Sequence, residues 1–374
     1  MSNARKIAQI NIIINKSLYN ELQDFLFSLG IKYFYSTVSR SLMLEENEGL
    51  SRVFSGDNTT VDEQSVTISL LVDKKYEEQI IAAIIEKMKF DIAGRGTIFS
   101  KEVSLLNSNE SIIENQNLSV KAETKKLPVE LAGIIAILMR GEGDQVARVS
   151  LDTGSSVPNI TYGKGAGLRD KIGLWRITIP AEKDVVTALT AAHDVDAVMN
   201  LMIDKGQLDQ PGKGFIYTYP INKGILNTKI HIGMPKHAAS IEQIINVIDE
   251  IKNSSSWRKR EGYADENKSK RKYLTNLIEM ALICVEGFGP DLTKIAMNVG
   301  APGATISKLK LVTNNETLSK QPPARELCSL IIGEALVKPI LEALEKNNAF
   351  DNEKIGQVLI NPVVKAFTYF GKKK

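Results

Sequence analysis

The sequence predicts an α+β chain built from one module used three times. Two sets of landmarks carry that reading. The first is a glycine turn that runs directly into a strand of alternating aromatic and β-branched residues, Gly212-Lys213-Gly214-Phe215-Ile216-Tyr217. An offset of 118 residues lays Gly94-Arg95-Gly96-Thr97-Ile98-Phe99 on it without a gap, and an offset of 142 lays Gly356 on Gly214. Phe90-Asp91, Leu208-Asp209 and Phe350-Asp351 fall into register at the same offsets. The second set is a glycine closing a helix-like segment, at Gly30, Gly154 and Gly300, where a left-handed C-cap belongs. A landmark recurring at fixed spacing is the signature of internal repetition.

In chain order, each module opens on an apolar run: Ile10 to Ile14, Ile134 to Met139 and Met280 to Val285. A helix follows, marked in the first module by Leu18, Leu22, Phe25, Leu26 and Leu29. After the glycine cap come strands at 32–44, 159–162 and 304–312. A third strand is expected at 65–72, at 183–190 and in the stretch ending at Ile332, and each precedes a second helix. The second helices carry Ile80, Ile81, Ile84, Ile85 and Met88, then Val195, Val198, Met199 and Met202, then Val337, Ile340, Leu341 and Leu344. The glycine turn and a last strand complete β-α-β, long loop, β-α-β, the split βαβ or ferredoxin-like order. The expected modules are 8–104, 130–222 and 278–370. Between the last two lies an insertion, 223–277, reading as an extra strand at 225–232, a capped helix from Ser240 and a basic linker at 258–272.

Two excursions leave the modules between their second and third strands. Residues 45–64 are polar and mobile by composition. The second excursion, 163–173, interleaves Gly163, Gly165, Gly167 and Gly173 with Lys164, Arg169 and Lys171. That composition suits a loop that wraps phosphate or inserts into a partner protein. A strand is expected at 174–179 after it.

Composition excludes several classes. The chain has 374 residues, 43% hydrophobic and 24% charged, which is ordinary for a globular protein. No run approaches the ~18 apolar residues of a membrane span. Arg5 and Lys6 are not followed by an apolar core with a cleavage site, so a signal peptide is not expected. Cys284 and Cys328 lie in strand-like runs and read as buried thiols of a reducing cytoplasm. His193, His231 and His237 share no metal-ligand spacing, and no nucleophile–base pairing can be named, so neither a metal nor a catalytic residue is assigned. The basic linker alternates with Glu261, Asp265 and Glu266, which argues against nucleic acid as a partner.

Two readings of the glycine turns stay open. Freed backbone N–H groups beside Arg95 or Lys213 can cradle an anion. Alternatively, glycine simply permits a tight helix-to-strand turn.

At this point the chain resembles the PII-type nitrogen regulatory proteins. Ile295-Ala296-Met297-Asn298-Val299-Gly300-Ala301-Pro302-Gly303-Ala304-Thr305-Ile306 is similar to that family's first helix, its cap and its second strand. Gly94 to Phe99 and Gly212 to Ile216 are similar to its phosphate-side loop. The family's lysine after the second glycine is absent, replaced by Thr97, Phe215 and Gln357; Arg95, Lys213 and Lys354 stand two or three positions earlier. Members normally carry one unit per chain and trimerise, so the resemblance implies a fused pseudo-trimer, monomeric in solution. It further implies a cytoplasmic, non-enzymatic regulator with an effector such as ATP or ADP held in clefts between units. The effector residues would be Gly94, Arg95, Gly96, Gly212, Lys213, Gly214, Gly163, Lys164, Gly165, Gly167, Arg169, Lys171, Gly300, Gly303 and Thr305. By the same resemblance, the loop at 163–173 would meet a protein partner, an ammonium transporter or an enzyme of nitrogen metabolism. The runner-up is a structural or metal-tolerance protein on the same scaffold, without nucleotide.

Overall fold

The computed structural model describes residues 4–45, 59–106, 130–167, 182–229, 231–232, 271–316, 318–350 and 355–369. The expected helix from Ser240, the strand at 174–179, most of the basic linker, His237, Arg169, Lys171 and Lys354 lie outside them. The structure is α+β, with the described strands joined in a single, almost wholly antiparallel sheet.

The first third runs β1 (Arg5–Asn15), α1 (Tyr19–Ser28), β2 (Tyr33–Glu45), β3 (Thr59–Val72), α2 (Glu77–Met88) and β4 (Gly96–Leu105). The second runs β5 (Leu131–Met139), α3 (Gly143–Asp152), β6 (Asn159–Gly167), β7 (Glu182–Ala191), α4 (Val195–Lys205) and β8 (Gly214–Ile221). Two short strands follow, β9 (Lys223–Ile225) and β10 (His231–Ile232). The last third runs β11 (Leu277–Val285), α5 (Gly289–Asn298), β12 (Gly303–Thr313), β13 (Ala324–Gly333), α6 (Val337–Lys346) and β14 (Ile355–Val363), then β15 (Lys365–Thr368).

Local chemistry explains why the pattern recurs. The first helix of each third ends at a left-handed glycine, Gly30, Gly154 or Gly300. The next N–H reaches back to close the last turn: Ile31 to Leu26 O, Ser155 to Ser150 O and Ala301 to Ala296 O. The second helices end on the same device with a larger residue at the left-handed position, where Lys89, Gln207 and Asn348 take positive φ. There Phe90, Leu208 and Ala349 reach back to Ile85, Ile203 and Leu344. Six helix ends thus repeat one closing bond, with glycine at the left-handed position of the first helices and a larger residue at that of the second.

Within each third the strands lie in the order β2-β3-β1-β4, β6-β7-β5-β8 and β12-β13-β11-β14. One face of each sheet is covered by its two helices. In the first third, Ile10, Ile12, Ile68 and Leu70 pack on Leu22, Leu26, Ile80 and Ile84, all fully or almost fully buried. Equivalent cores form in the other two thirds. The opposite faces pack against one another. Ile7, Tyr33, Tyr35, Val103 and Leu105 meet Ala281, Ile283, Leu311 and Leu359. Ile13 and Phe99 meet Leu189, Tyr217, Tyr219 and Val363.

Strand pairing between the thirds closes in a cycle. The end of β4 pairs with β14, β15 pairs with β8, and β9 pairs with β4. The strands after the first helices close a second cycle: β2 on β12, β12 on β6, and β6 on β2.

Three expectations are corrected. The single strand at 225–232 is two short strands, β9 and β10, that pair with β4 and β2 respectively. Between them Asn227 turns the chain by spending its hydrogen bonds on other segments. The polar excursion at 45–64 is shorter, because β3 begins at Thr59 and stays in register with β2 to the Glu45–Thr59 pair. Likewise Gly163 to Gly167 belong to β6 rather than to a loop.

Candidate functional site

The two readings of the glycine turns can be judged from their geometry. The second glycine of each turn is demanded by packing. A Cβ on Gly96 would stand 2.7 Å from Ile13 O, and one on Gly214 would stand 2.4 Å from Ile137 O. Both sit at positive φ, 151° and 149°. A backbone carbonyl cannot move aside, so glycine is obligatory here with or without a ligand.

The first glycine of the first turn is different. The group accepting from Gly94 N–H is the side chain of Asn227, at 2.9 Å. The same Asn227 Oδ1 accepts from Lys229 N at 3.1 Å. Asn227 N donates to Thr97 Oγ1 at 2.8 Å, and Val157 N donates to Asn227 O at 2.9 Å. Asn227 is therefore buried, at 8% exposure, and bridges β4 of the first third to the approach of β6 in the second. Lys229 lies over the turn, its Cδ 2.7 Å from where a Gly94 Cβ would be. The recess that remains is lined by Asn15, Glu63, Arg95, Thr97, Val157 and Asn227 and encloses about 10 Å³. That is room for about one water molecule and far below the volume of a nucleotide.

In the second turn, Gly212 has φ 81° and Lys213 Nζ sits 2.8 Å from Glu142 Oε1. The lysine expected to meet phosphate is neutralised by a carboxylate of its own third. The third turn's Lys354 lies outside the described residues.

The glycine-rich stretch is a joint between thirds. Gly163, Lys164, Gly165 and Ala166 pair with Ser307, Ile306, Thr305 and Ala304, and Gly167 pairs with Gly303. A Cβ on Gly163 would meet Thr305 Cγ2 at 2.8 Å, and one on Gly303 would meet Ala166 O at 2.8 Å. Small residues are needed because two backbones approach closely. Gly300 caps α5, and Thr305 is buried at this joint. The structure thus gathers Gly163, Lys164, Gly165, Gly167, Gly303 and Thr305 into one strand pair. Arg95 with Gly94 and Gly96, and Lys213 with Gly212 and Gly214, stand at separate turns.

Sequence reasoning missed the carboxylates that close the helix N-termini. Asp184, 1% exposed, accepts from Gly141 N at 2.8 Å and Gly143 N at 3.1 Å at the start of α3, with Arg140 3.2 Å away. Glu326 accepts from Gly289 N at 2.8 Å at the start of α5. Both answer the unpaired donors and positive end of a helix. Asp184 and Glu326 stand 142 residues apart, the offset of the repeat, so the signal was in the sequence.

Also missed was a polar cluster in which all three thirds meet. Glu279 of β11, 7% exposed, accepts from Ser329 Oγ at 2.6 Å, Asn361 Nδ2 at 2.8 Å and Tyr217 OH at 3.3 Å. Lys101 of β4 stands 3.9 Å from it and 5.2 Å from the Tyr219 ring centre. Burial pulls the Lys101 ammonium below its usual pKa against the opposing pull of Glu279. Burial, reinforced by Glu279, pushes the Tyr217 and Tyr219 phenols well up.

Cys284 and Cys328 are buried free thiols, as expected of strand residues. Among the described residues no group of His, Cys, Asp and Glu is arranged to hold a metal, and no helix is long and apolar enough to cross a membrane.

No family model and no curated protein matches the chain. Among solved structures, an aspartate kinase from Synechocystis aligns with 96% of this chain and 44% of its own, at 8% identity and a TM-score of 0.21. The chain spans less than half the length of that enzyme, and an overlap so loose fixes neither fold nor activity.

Proposed function

We propose that the chain is a PII-type regulatory protein, in which ferredoxin-like repeats at 8–104, 130–222 and 278–370 form an intramolecular pseudo-trimer. One observation carries this reading: the cyclic exchange of strands, in which each third pairs with both others along two separate rings of strand contacts. Three separate chains arranged about an axis would make the same exchange, and here one chain makes it with itself. The protein acts without catalysis in the cytoplasm. It binds an adenine nucleotide between repeats and passes the bound state to a partner through the connection that follows β6. The partner class, an ammonium transporter or a nitrogen-metabolism enzyme, rests on the resemblance alone.

The first turn is the strongest effector position, because Gly94 N–H, Arg95 and Lys229 converge there. Calorimetric titration with ATP and ADP tests the reading, and saturable binding is expected. Light scattering should give a particle of 41.3 kDa, one chain. A threefold larger particle would overturn the intramolecular trimer. The runner-up, a structural protein without nucleotide, draws support from the Lys213–Glu142 pair and from Asn227 standing on Gly94. The absence of heat with either nucleotide would decide for it.

A further inference from the structure

We infer that the segment 226–232 is an internal competitor of the effector: Asn227 occupies the anion position on Gly94, and a phosphoryl group binds there by displacing it. The inference rests on the effector reading above and gives it a switch.

The argument starts from what Asn227 does. Its Oδ1 takes two backbone N–H groups, from Gly94 and Lys229, as an anionic oxygen in a nest of amides would. The amide oxygen is neutral, so a phosphoryl oxygen makes the stronger, charge-assisted bond to the same donor. Two cationic side chains stand at the spot, Lys229 over the turn and Arg95 lining the recess, against one carboxylate, Glu63, whose Oε1 already accepts from Asn15 Nδ2 at 2.7 Å. With two cations against one carboxylate, a neutral acceptor uses the local charge less well than a phosphoryl oxygen would.

The connections of the segment make its release local. Upstream it is fixed: β9 pairs with β4, Asn222 N donates to Ser100 O at 2.8 Å, and Lys223 reaches Glu78 at 2.7 Å. Downstream, among the described residues, it is held by a two-residue pairing, His231 beside Leu44 and Ile232 beside Glu45. Those are the last residues of β2, where the chain leaves the sheet between the second and third strands of the first repeat. Displacing Asn227 therefore pulls on β10 and loosens it from the end of β2, while β9 stays in place. Occupancy of the cleft and the conformation at that loop base become alternatives of one equilibrium, so the effector biases the state it binds better.

Two variants move affinity in opposite directions. Asn227→Ala removes the competitor's oxygen and raises the fraction of open cleft, so ATP should bind about fivefold to tenfold tighter. Asn227→Asp keeps shape and acceptor but adds a negative charge beside the incoming phosphoryl group, so ATP should bind several-fold more weakly. Adenosine, which lacks the phosphoryl group, should not follow this order. Hydrogen exchange on the wild type should show ATP accelerating the amides of 231–232 while those of 223–225 stay protected. If ATP binds the wild type and Asn227→Ala is no tighter, or Asn227→Asp is no weaker, the competitor is refuted and the effector reading stands. Unchanged exchange at 231–232 on saturation refutes the coupling. If ATP binds none of the three proteins, the effector reading falls and the competitor falls with it.

Discussion

Replacing Glu279 with glutamine tests the joint between the repeats. The carboxylate belongs to the third repeat, its Tyr217 donor to the second and Lys101 to the first. Glutamine keeps the shape and one acceptor, so the bonds from Ser329 and Tyr217 survive. On the other oxygen a donor now faces Asn361 Nδ2. Asn361 can turn its amide over, since its Oδ1 has no hydrogen-bond partner among the described residues. The substitution therefore costs little in hydrogen bonds and much in charge. Lys101, with 11% of its side chain exposed, loses the one carboxylate that offsets its burial. Breaking a buried pair from one side costs about 3–5 kcal/mol, and a 3.9 Å contact belongs at the lower end, about 3 kcal/mol. Lys101→Met should cost less, about 1 kcal/mol, because Glu279 keeps three donors and a buried ammonium is gone. Adding Lys101→Met to Glu279→Gln should then restore stability rather than lower it further.

Urea unfolding followed by far-ultraviolet circular dichroism measures all four proteins, and the interleaved repeats should give one transition. The pH dependence gives a second check. Lys101 has its folded pKa below the unfolded value of about 10.5, so the folded state holds fewer protons in that window. Its charged form opposes folding at neutral pH, and wild-type stability gains from this group as pH rises toward 10.5. Glu279→Gln should steepen that gain and Lys101→Met should abolish it. A double variant less stable than Glu279→Gln alone would refute the account, because the cost could not then come from the stranded ammonium.

Two further predictions concern the carboxylates. Asp184→Ala strands the N–H groups of Gly141 and Gly143 at the start of α3 and should cost about 2–4 kcal/mol in the same assay, with Asp184→Asn costing less. Bonds from Lys6 and Lys74 hold Glu102 below its usual carboxylate pKa of 4.5. Its stabilising contribution should be complete above pH 4.5 and be lost as pH falls through the depressed value, an acid sensitivity that Glu102→Gln flattens and added salt weakens.

The fold was legible in the sequence wherever its cause was local. Helix ends at Gly30, Gly154 and Gly300 and the turns before β4 and β8 follow from residues within a few positions of each other. What escaped is made by distant partners. Lys213 looked free because Glu142 stands 71 residues upstream. Gly163 to Gly167 looked like a loop because the strand that needs their small size is β12, in another repeat. Asn227 looked like one polar residue inside a strand, since nothing near it shows that Gly94, Thr97 and Val157 will claim its bonds. Among the described effector residues, the first turn combines an N–H taken by a side chain of another segment with nearby cations.

The three thirds of the chain lack the equivalence that three separate identical chains would keep. Each joint is bridged by a different piece of connecting backbone. The segment after β8 crosses to β4 and places Asn227 on the first turn. The segment after β14 crosses to β8, and Thr368 of β15 donates to Gly214 O at 2.9 Å on the second turn. One crossing brings an amide oxygen onto a backbone donor, and the other brings a hydroxyl donor onto a backbone acceptor. The first occupies the very group an anion needs, whereas the second leaves the turn's N–H groups untouched and reinforces a strand. On the proposed effector reading, competition is therefore expected at the first joint. The second joint, with Lys213 paired to Glu142, is held closed by contacts that no phosphate would improve.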